Sequence, residues 1–301
     1  MSLGTIPVRA ADIQDGTRIS VDQWSRHPEV IARKVADISQ KKFIASAIFD
    51  ISGMTTPTVA VELPDTVDND VYPTKNPQIV EPLSPTPLAD MVRGTLTTFV
   101  PKKWQLGYEL SQEAIDDNDI TQMQKVPRVL ANGFTRTLNI VATEVIEKAV
   151  TDYSRTVSAT TTWTAINALT YDTKTASSTV LDVFGKARLQ VENEERGYED
   201  AFDTLLVNGA QAYAIELSLG ANWRQSLSAQ GITNVIVSPR VTDGTAYFLA
   251  SGLVGAMRFR DPLTVRRIEQ EEIDGVLLKG STRFVAYVNE PYAVVKLTNL
   301  A

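Results

Sequence analysis

The chain has 301 residues, 43% of them hydrophobic and 22% charged, with a formal net charge of −7 and no cysteine. Those fractions suit a globular chain with room for one large domain or two modest ones. The acidic balance and scattered basic residues argue against a dedicated nucleic-acid binder, and the missing thiols exclude disulfides, thiolate catalysis and cysteine-type zinc sites.

The opening Met1-Ser2-Leu3-Gly4-Thr5-Ile6-Pro7 has neither the basic nor the apolar region of an export signal, and no apolar run is long enough to span a membrane. The cytosol is the expected place of synthesis and use. Residues 1 to about 45 read as an extended arm ending in a short helix. Thr5 to Val21 carries isolated apolar residues without a core-forming period, whereas Val30, Ile31, Val35 and Ile38 recur three and four apart from Pro28 onward.

Residues 53 to 90 hold Pro57, Pro64, Pro73, Pro77, Pro82, Pro85 and Pro87 but only one glycine, Gly53. Proline removes backbone donors and fixes φ, so neither a compact helix nor a central strand runs through this stretch. Strand-like runs at 58–63 and 94–100 flank it, and together they predict a long two-stranded arm with a stiff tip. Its bulky apolar residues, Val71, Tyr72, Ile79, Val80, Leu83 and Leu88, are more than a plain linker needs.

Next, Val126, Leu130, Phe134, Leu138, Val141, Val145 and Ala149 predict one long amphipathic helix over about 121–153, roughly 40 Å from Pro127 onward. Asp116, Asp117 and Asp119 precede it on the side where acidic groups favour the helix dipole. Pro127 is placed in its first turn, and Gly133 marks a close packing contact. The Thr- and Ser-rich strip 151–178, with Trp163 and Tyr171, reads as a hairpin or surface connection. Ser178 is expected to cap a second helix that buries Val180, Phe184, Ala187 and Val191. Beyond Asp203 come a buried strand at 203–207, a helix through Ala210–Ala214, and strands at 234–238, 245–250, 263–268, 276–278, 283–288 and 293–297. The class is α+β, with the sheet concentrated late.

That order of parts resembles the HK97-type phage capsid fold. Glu109 to Asp117 looks like the lead-in to that family's spine helix, Leu205 to Ala212 like the start of its axial domain, and Arg283 to Leu297 like its carboxy-terminal strand pair. The resemblance covers about residue 20 to the end. It implies an N-terminal arm over 1–45, an extended two-stranded loop over 46–105, and a peripheral domain over 106–200 with the spine helix at about 121–153. An axial domain over 201–260 and return strands over 261–301 complete it. The implied function is a major capsid protein whose hexamers and pentamers form an icosahedral head around double-stranded DNA, held without sequence-specific contact. Scaffolding, portal and decoration proteins are the implied partners, the virion its location and the host cytoplasm its place of assembly; no membrane and no cofactor is involved. The chain is too short for a long amino-terminal scaffolding region, so scaffold is supplied separately, dispensed with or already removed.

Chemistry offers little. His27 is the single histidine and precedes Pro28 in the arm, which reads as a surface or interface position. The stretch Gly252-Leu253-Val254-Gly255 lacks the spacing and the Lys-Ser/Thr of a phosphate loop, and the acidic run 269–274 has no Ca²⁺-loop pattern. No catalytic or metal residue is assigned. Intersubunit contacts are expected at Ile19 and Trp24 in the arm and at Tyr72, Ile79 and Leu83 in the loop. The resemblance also raises a crosslink between Lys75 and Asn289 of a neighbouring subunit, against the plainer reading of Lys75 as a solvated lysine. Alternatives are an encapsulin-type compartment shell, an intracellular enzyme with a long lid, and a surface protein, the last disfavoured by the missing export signal.

Overall fold

The computed structural model describes residues 14–15, 18–19, 25–40, 43–64, 76–80, 85–86, 88–89, 94–117, 120–168, 179–194, 196–198, 200–270 and 274–301. Strands β1 (Gln14–Asp15) and β2 (Arg18–Ile19) pair with each other. Helix α1 (Pro28–Gln40) starts on a proline, whose fixed φ suits the first helical position and whose missing N–H would be unpaired there in any case. Its period places Ile31 and Val35 on one face, and both are fully buried against the chain's own core. After α2 (Ala45–Ile48) and β3 (Asp50–Gly53), β4 (Val59–Leu63) and β5 (Thr95–Phe99) form an antiparallel hairpin with the proline-dense segment between them.

Strand β6 (Lys102–Ser111) was not foreseen, although Trp104, Leu106, Tyr108 and Leu110 alternate along it. Ser111 then caps α3 (Gln112–Asp116), accepting from the Ala114 N–H at 3.3 Å. The longest helix, α4, runs over Ile120–Asp152, about 50 Å at 1.5 Å per residue. Its earlier start puts Pro127 inside the helix rather than in its first turn.

The described part of the strip after α4, up to residue 168, is not a surface connection. It contains β7 (Thr156–Ser158) and α5 (Trp163–Ala168), and Trp163 is fully buried. Helix α6 (Asp182–Asn193) has Leu181 at its N-cap with no side-chain cap, and Ser178 lies outside the described residues. Its Val183, Phe184, Ala187 and Val191 are buried, as is Val180 just ahead of it. Strand β8 (Thr204–Val207) leads into α7 (Gly209–Leu219), capped by the Asn208 carboxamide, which accepts from the Ala210 N–H at 3.2 Å. Then come α8 (Trp223–Ala229), β9 (Asn234–Val237) and β10 (Ala246–Leu249).

The late strands expected as separate pieces are fused into one long antiparallel hairpin, β11 (Gly255–Gln270) and β12 (Gly275–Val288). Register shifts on either side of Asp261 absorb Pro262, which is how a proline is tolerated in so long a strand. Strand β13 (Val294–Thr298) closes the fold. One sheet has the order β7-β13-β10-β8-β9 and the other β3-β11-β12-β6.

Helix α4 lies across both sheets. Its first half packs Val126, Leu130 and Ala131 with Ile31, Val35, Leu110, Val265, Val276 and Leu278. Its second half packs Ala142, Ile146 and Val150 with Leu206, Leu249, Phe284 and Ala286. A four-residue step overshoots a full turn by about 40°, so the buried line drifts around the helix. Beyond Phe134 the most buried positions become Thr135, Asn139, Ala142 and Ile146, while Leu138, Val141 and Val145 are only half-buried. The third core fills the opposite face of the five-stranded sheet, with Trp163, Phe184, Phe248 and Ile215.

Two glycines let α4 approach the β3-β11-β12-β6 sheet. A Cβ on Gly133 would overlap Leu106, and one on Gly280 would lie 2.6 Å from Phe134 Cε2. Gly280→Val is therefore expected to push the Phe134 ring off the sheet and cost about 1–3 kcal/mol by overpacking. Urea denaturation followed by circular dichroism measures this; a midpoint equal to wild type would show that the crossing is not tight.

Candidate assembly surfaces

The β4–β5 hairpin is tied to the body at both ends of its paired strands, at Phe99 opposite Val59 and at Pro64 just beyond the Leu63–Thr95 pair. Phe99 stacks on Tyr287 with ring centroids 5.3 Å apart, and the Tyr153 hydroxyl donates to the Pro64 carbonyl at 2.7 Å. A cleft of about 300 Å³, walled by Leu63, Thr97, Phe99, Val145, Tyr153 and Val288, separates hairpin from helix. Further out, residues 76–80 are all exposed, with Ile79 fully so, and Leu88 is 80% exposed. Leu96 and Val100 on the second strand's side are 70% and 60% exposed.

Beneath the anchor, the end of α4 is fixed by a buried cation. Arg155 is 1% exposed; its Nε donates to the Val294 carbonyl at 3.3 Å, its Nη2 to the Tyr292 carbonyl at 3.0 Å, and its Nη1 to the Glu194 carboxylate. Arg196 lies over the Tyr292 ring, 3.4 Å from its centroid. Burial pulls the Arg155 guanidinium down to about 10, which leaves it charged at neutral pH. Two residues from Val145 and from Ala149, which line the cleft beside the hairpin, Glu147 accepts from Lys296 Nζ and the Tyr247 hydroxyl, tying α4 to β13 and β10. Burial alone would raise the Glu147 carboxyl, but those two hydrogen bonds and the Lys296 charge outweigh it and hold it below its ordinary value.

Of the expected contact residues, Trp24, Tyr72, Lys75 and Leu83 lie outside the described residues, and Ile19 is placed only as part of β2. Ile79 is exposed, whereas Asn289 is half-buried just beyond β12, where its backbone N–H donates to the Val254 carbonyl at 3.2 Å. Sequence reasoning missed Leu96 and Val100, and also Tyr213 and Leu217, which stand one turn apart on α7 at 66% and 58% exposure. The near-uniform apolar composition of α7 was the available signal. His27 is partly exposed and its Nδ1 lies 3.0 Å from the Glu29 carboxylate. Among the described residues no group of three or more His, Asp or Glu could hold a metal ion, and no helix is long and apolar enough to cross a membrane.

The family profile described as "phage capsid protein" matches residues 95–297, from the second strand of the hairpin to the last strand of the fold. The chain belongs to the phage capsid protein family. Solved structures extend the likeness to most of the chain. A structure from Mycobacterium phage Bobi aligns at TM-score 0.60 with 14% identity, covering 87% of this chain and 89% of that one. The capsid of an empty GTA particle aligns at TM-score 0.56 with 18% identity, covering 84% and 88%. The virus-like particle from Pyrococcus furiosus aligns at TM-score 0.56 with 12% identity, covering 90% and 99%. No curated protein sequence matches. The fold is thus the α+β HK97 type, and the chain is a phage capsid protein, a component of the virion shell.

Two variants test the packing under the hairpin. Arg155→Met strips the Glu194 carboxylate and two carbonyls of their donor, and is expected to cost about 3 kcal/mol in chemical denaturation. For Glu147 the sign follows from its depressed folded pKa: the stabilisation is present above 4.5 and lost as pH falls through the lower folded value. Glu147→Gln should flatten that acid-side fall in melting temperature; an unchanged slope would remove Glu147 from the account.

Proposed function

We propose that this chain is the major capsid protein of a tailed phage, forming hexamers and pentamers that close into an icosahedral head around double-stranded DNA. The observation that carries the reading is the hairpin, held along its paired strands by Phe99 and by Tyr153 at Pro64, while the described residues of the loop beyond them present apolar side chains to solvent. Burying one such side chain is worth about 1.5–3 kcal/mol, and it is gained only against another surface. Repetition around a shell then multiplies modest contacts into a rigid assembly.

In this reading residues 1–45 act as an arm, 46–105 as the extended loop, 106–200 and 261–301 as the peripheral domain, and 201–260 as the axial domain. Ile19 and Trp24 in the arm, with Tyr72, Ile79 and Leu83 in the loop, are the proposed intersubunit contacts. Lys75 is a solvated lysine unless it reaches Asn289 of a neighbour. The role is structural and not catalytic. A net charge of −7 suits a wall that encloses DNA without gripping it. Scaffolding, portal and decoration proteins would meet the shell as separate partners, and assembly would take place in the host cytoplasm.

A second reading, an encapsulin-type compartment, draws support from the likeness to the virus-like particle of Pyrococcus furiosus. Nucleic acid extracted from purified particles favours the phage head, and protein cargo the compartment. Negative-stain microscopy of the expressed chain is expected to show icosahedral particles. Deleting residues 65–85 should leave a soluble, folded subunit that no longer closes shells; normal particles from that deletion would refute the loop's role.

A further inference from the structure

A cleft of about 710 Å³ lies between the middle of α4, the turn at Phe43 and Ile44, and strand β9. Both Ile236 and Val237 line it. Neighbouring residues of a strand point to opposite faces of a sheet, so a cleft touching both runs along the strand's edge. That edge is open, because β9 ends its sheet and pairs only with β8 among the described residues.

The register shows which backbone groups face the cleft. Asn234 N–H donates to the Asp203 carbonyl at 3.1 Å and Ser238 N–H to the Val207 carbonyl at 2.8 Å. With a period of two, the N–H and C=O of Val235 and Val237 point away from β8. An edge of this kind is a template for an added strand, and natural proteins blunt such edges unless something covers them.

Charge defines what would cover it. The chain carries 36 acidic residues against 29 Lys and Arg, yet the described lining includes Arg136 and Arg240 and no carboxylate. Both arginines are exposed. Arg240 stands on a rim shared with a second cleft of about 450 Å³ that has Glu144, Glu147 and Asp152 in its lining; Arg136 does not border that cleft. The α4 wall is held in place, since Asn139 Oδ1 accepts from the Ile44 N–H at 3.1 Å. The floor is apolar, from Phe43, Ile44, Ala47, Val237 and Pro239.

We propose that this cleft binds an extended, carboxylate-bearing peptide segment of a partner protein, which adds as a strand to the free edge of β9 and sets its acidic side chains against Arg136 and Arg240. The apolar floor and the ladder groups favour a peptide over a phosphodiester backbone, which has no use for either. The site is separate from the hairpin surface and does not depend on the head-forming role proposed above.

The test uses the purified full-length chain and a fluorescein-labelled octapeptide alternating Asp and Val, read by fluorescence anisotropy. Saturable, salt-sensitive binding is expected. Val237→Pro removes an outward N–H that the fold itself does not use, so the subunit should keep its melting profile while the peptide binds at least about tenfold more weakly. Arg136→Glu with Arg240→Glu should abolish binding of the Asp–Val peptide and confer binding of its Lys–Val counterpart; this arm carries the test alone should Val237→Pro unfold. The proposal is overturned by absence of saturable binding. It is overturned equally by an oligothymidylate that competes with the peptide while Val237→Pro has no effect, which would mark a general polyanion surface. Displacement of the probe by a peptide of residues 65–72, in preference to the Asp–Val peptide, would assign the cleft to a second copy of the chain and also overturn the partner-protein reading.

Discussion

The structure depends on one helix that two sheets share. Residues Ile120–Asp152 supply the apolar face against which the β3-β11-β12-β6 sheet packs at one end and the β7-β13-β10-β8-β9 sheet at the other. It covers that face of both sheets, joined by Ile31 and Val35 of α1 over the first, and an uncovered apolar face several strands wide is not stable in water. Its positions along α4 are set by contacts of different kinds. Mid-helix, the absence of side chains at Gly133 and Gly280 allows Leu106 and Phe134 to interlock. Near the carboxyl end, polar groups take over: Glu147 reaches β10 and β13, and Arg155, just past the helix, gathers two carbonyls and a carboxylate. Apolar packing sets how close the elements come, whereas the buried Arg155 tolerates few alternative arrangements because an unpaired charge there is costly.

With the body organised this way, the β4–β5 hairpin is left as a projection. Among the described residues it meets the body through contacts that include the Phe99–Tyr287 stack and the Tyr153–Pro64 hydrogen bond, while Ile79 and Leu88 in its outer part stay largely exposed. A segment of that kind loses conformational entropy on ordering and needs a surface elsewhere to offset the loss. Membership of a capsid family gives that need a context, since a shell offers every subunit identical neighbours. The exposed Tyr213 and Leu217 on α7 belong to the same class of uncovered apolar surface, on a different part of the fold.

Periodicity made the helices legible. Ile31 and Val35 in α1, the Val126–Phe134 portion of α4, and Phe184, Ala187 and Val191 in α6 all recur at spacings that only a helix brings onto one face. Strands were harder. The β11–β12 hairpin looked like several pieces because Pro262 and Gly280 are breakers in isolation; register shifts accommodate the first, and the second is selected by the Phe134 ring above it. Trp163 sat in a Thr- and Ser-rich strip whose composition suggested the surface, but composition does not reveal that the helix starting at Trp163 faces a core assembled from residues up to Leu300. The proline-dense loop and its apolar residues were visible as an oddity from the sequence. The cleft beside β9 was not, because its walls come from three segments, around Phe43, Thr135 and Ile236, that are distant in the chain and carry no common motif.

The proline inside α4 gives that helix a grain. Pro127 has no N–H to offer the carbonyl one turn before it, so the ladder of axial bonds lacks a rung between the opening turns and the remainder. Behind that gap the helix is clamped by both cores; ahead of it, residues 120–125 are joined to the rest by fewer axial bonds. A bending load applied to the subunit would therefore concentrate its deformation in those first turns and spare the crossing at Gly133, much as a notched beam yields at the notch and keeps its joints square.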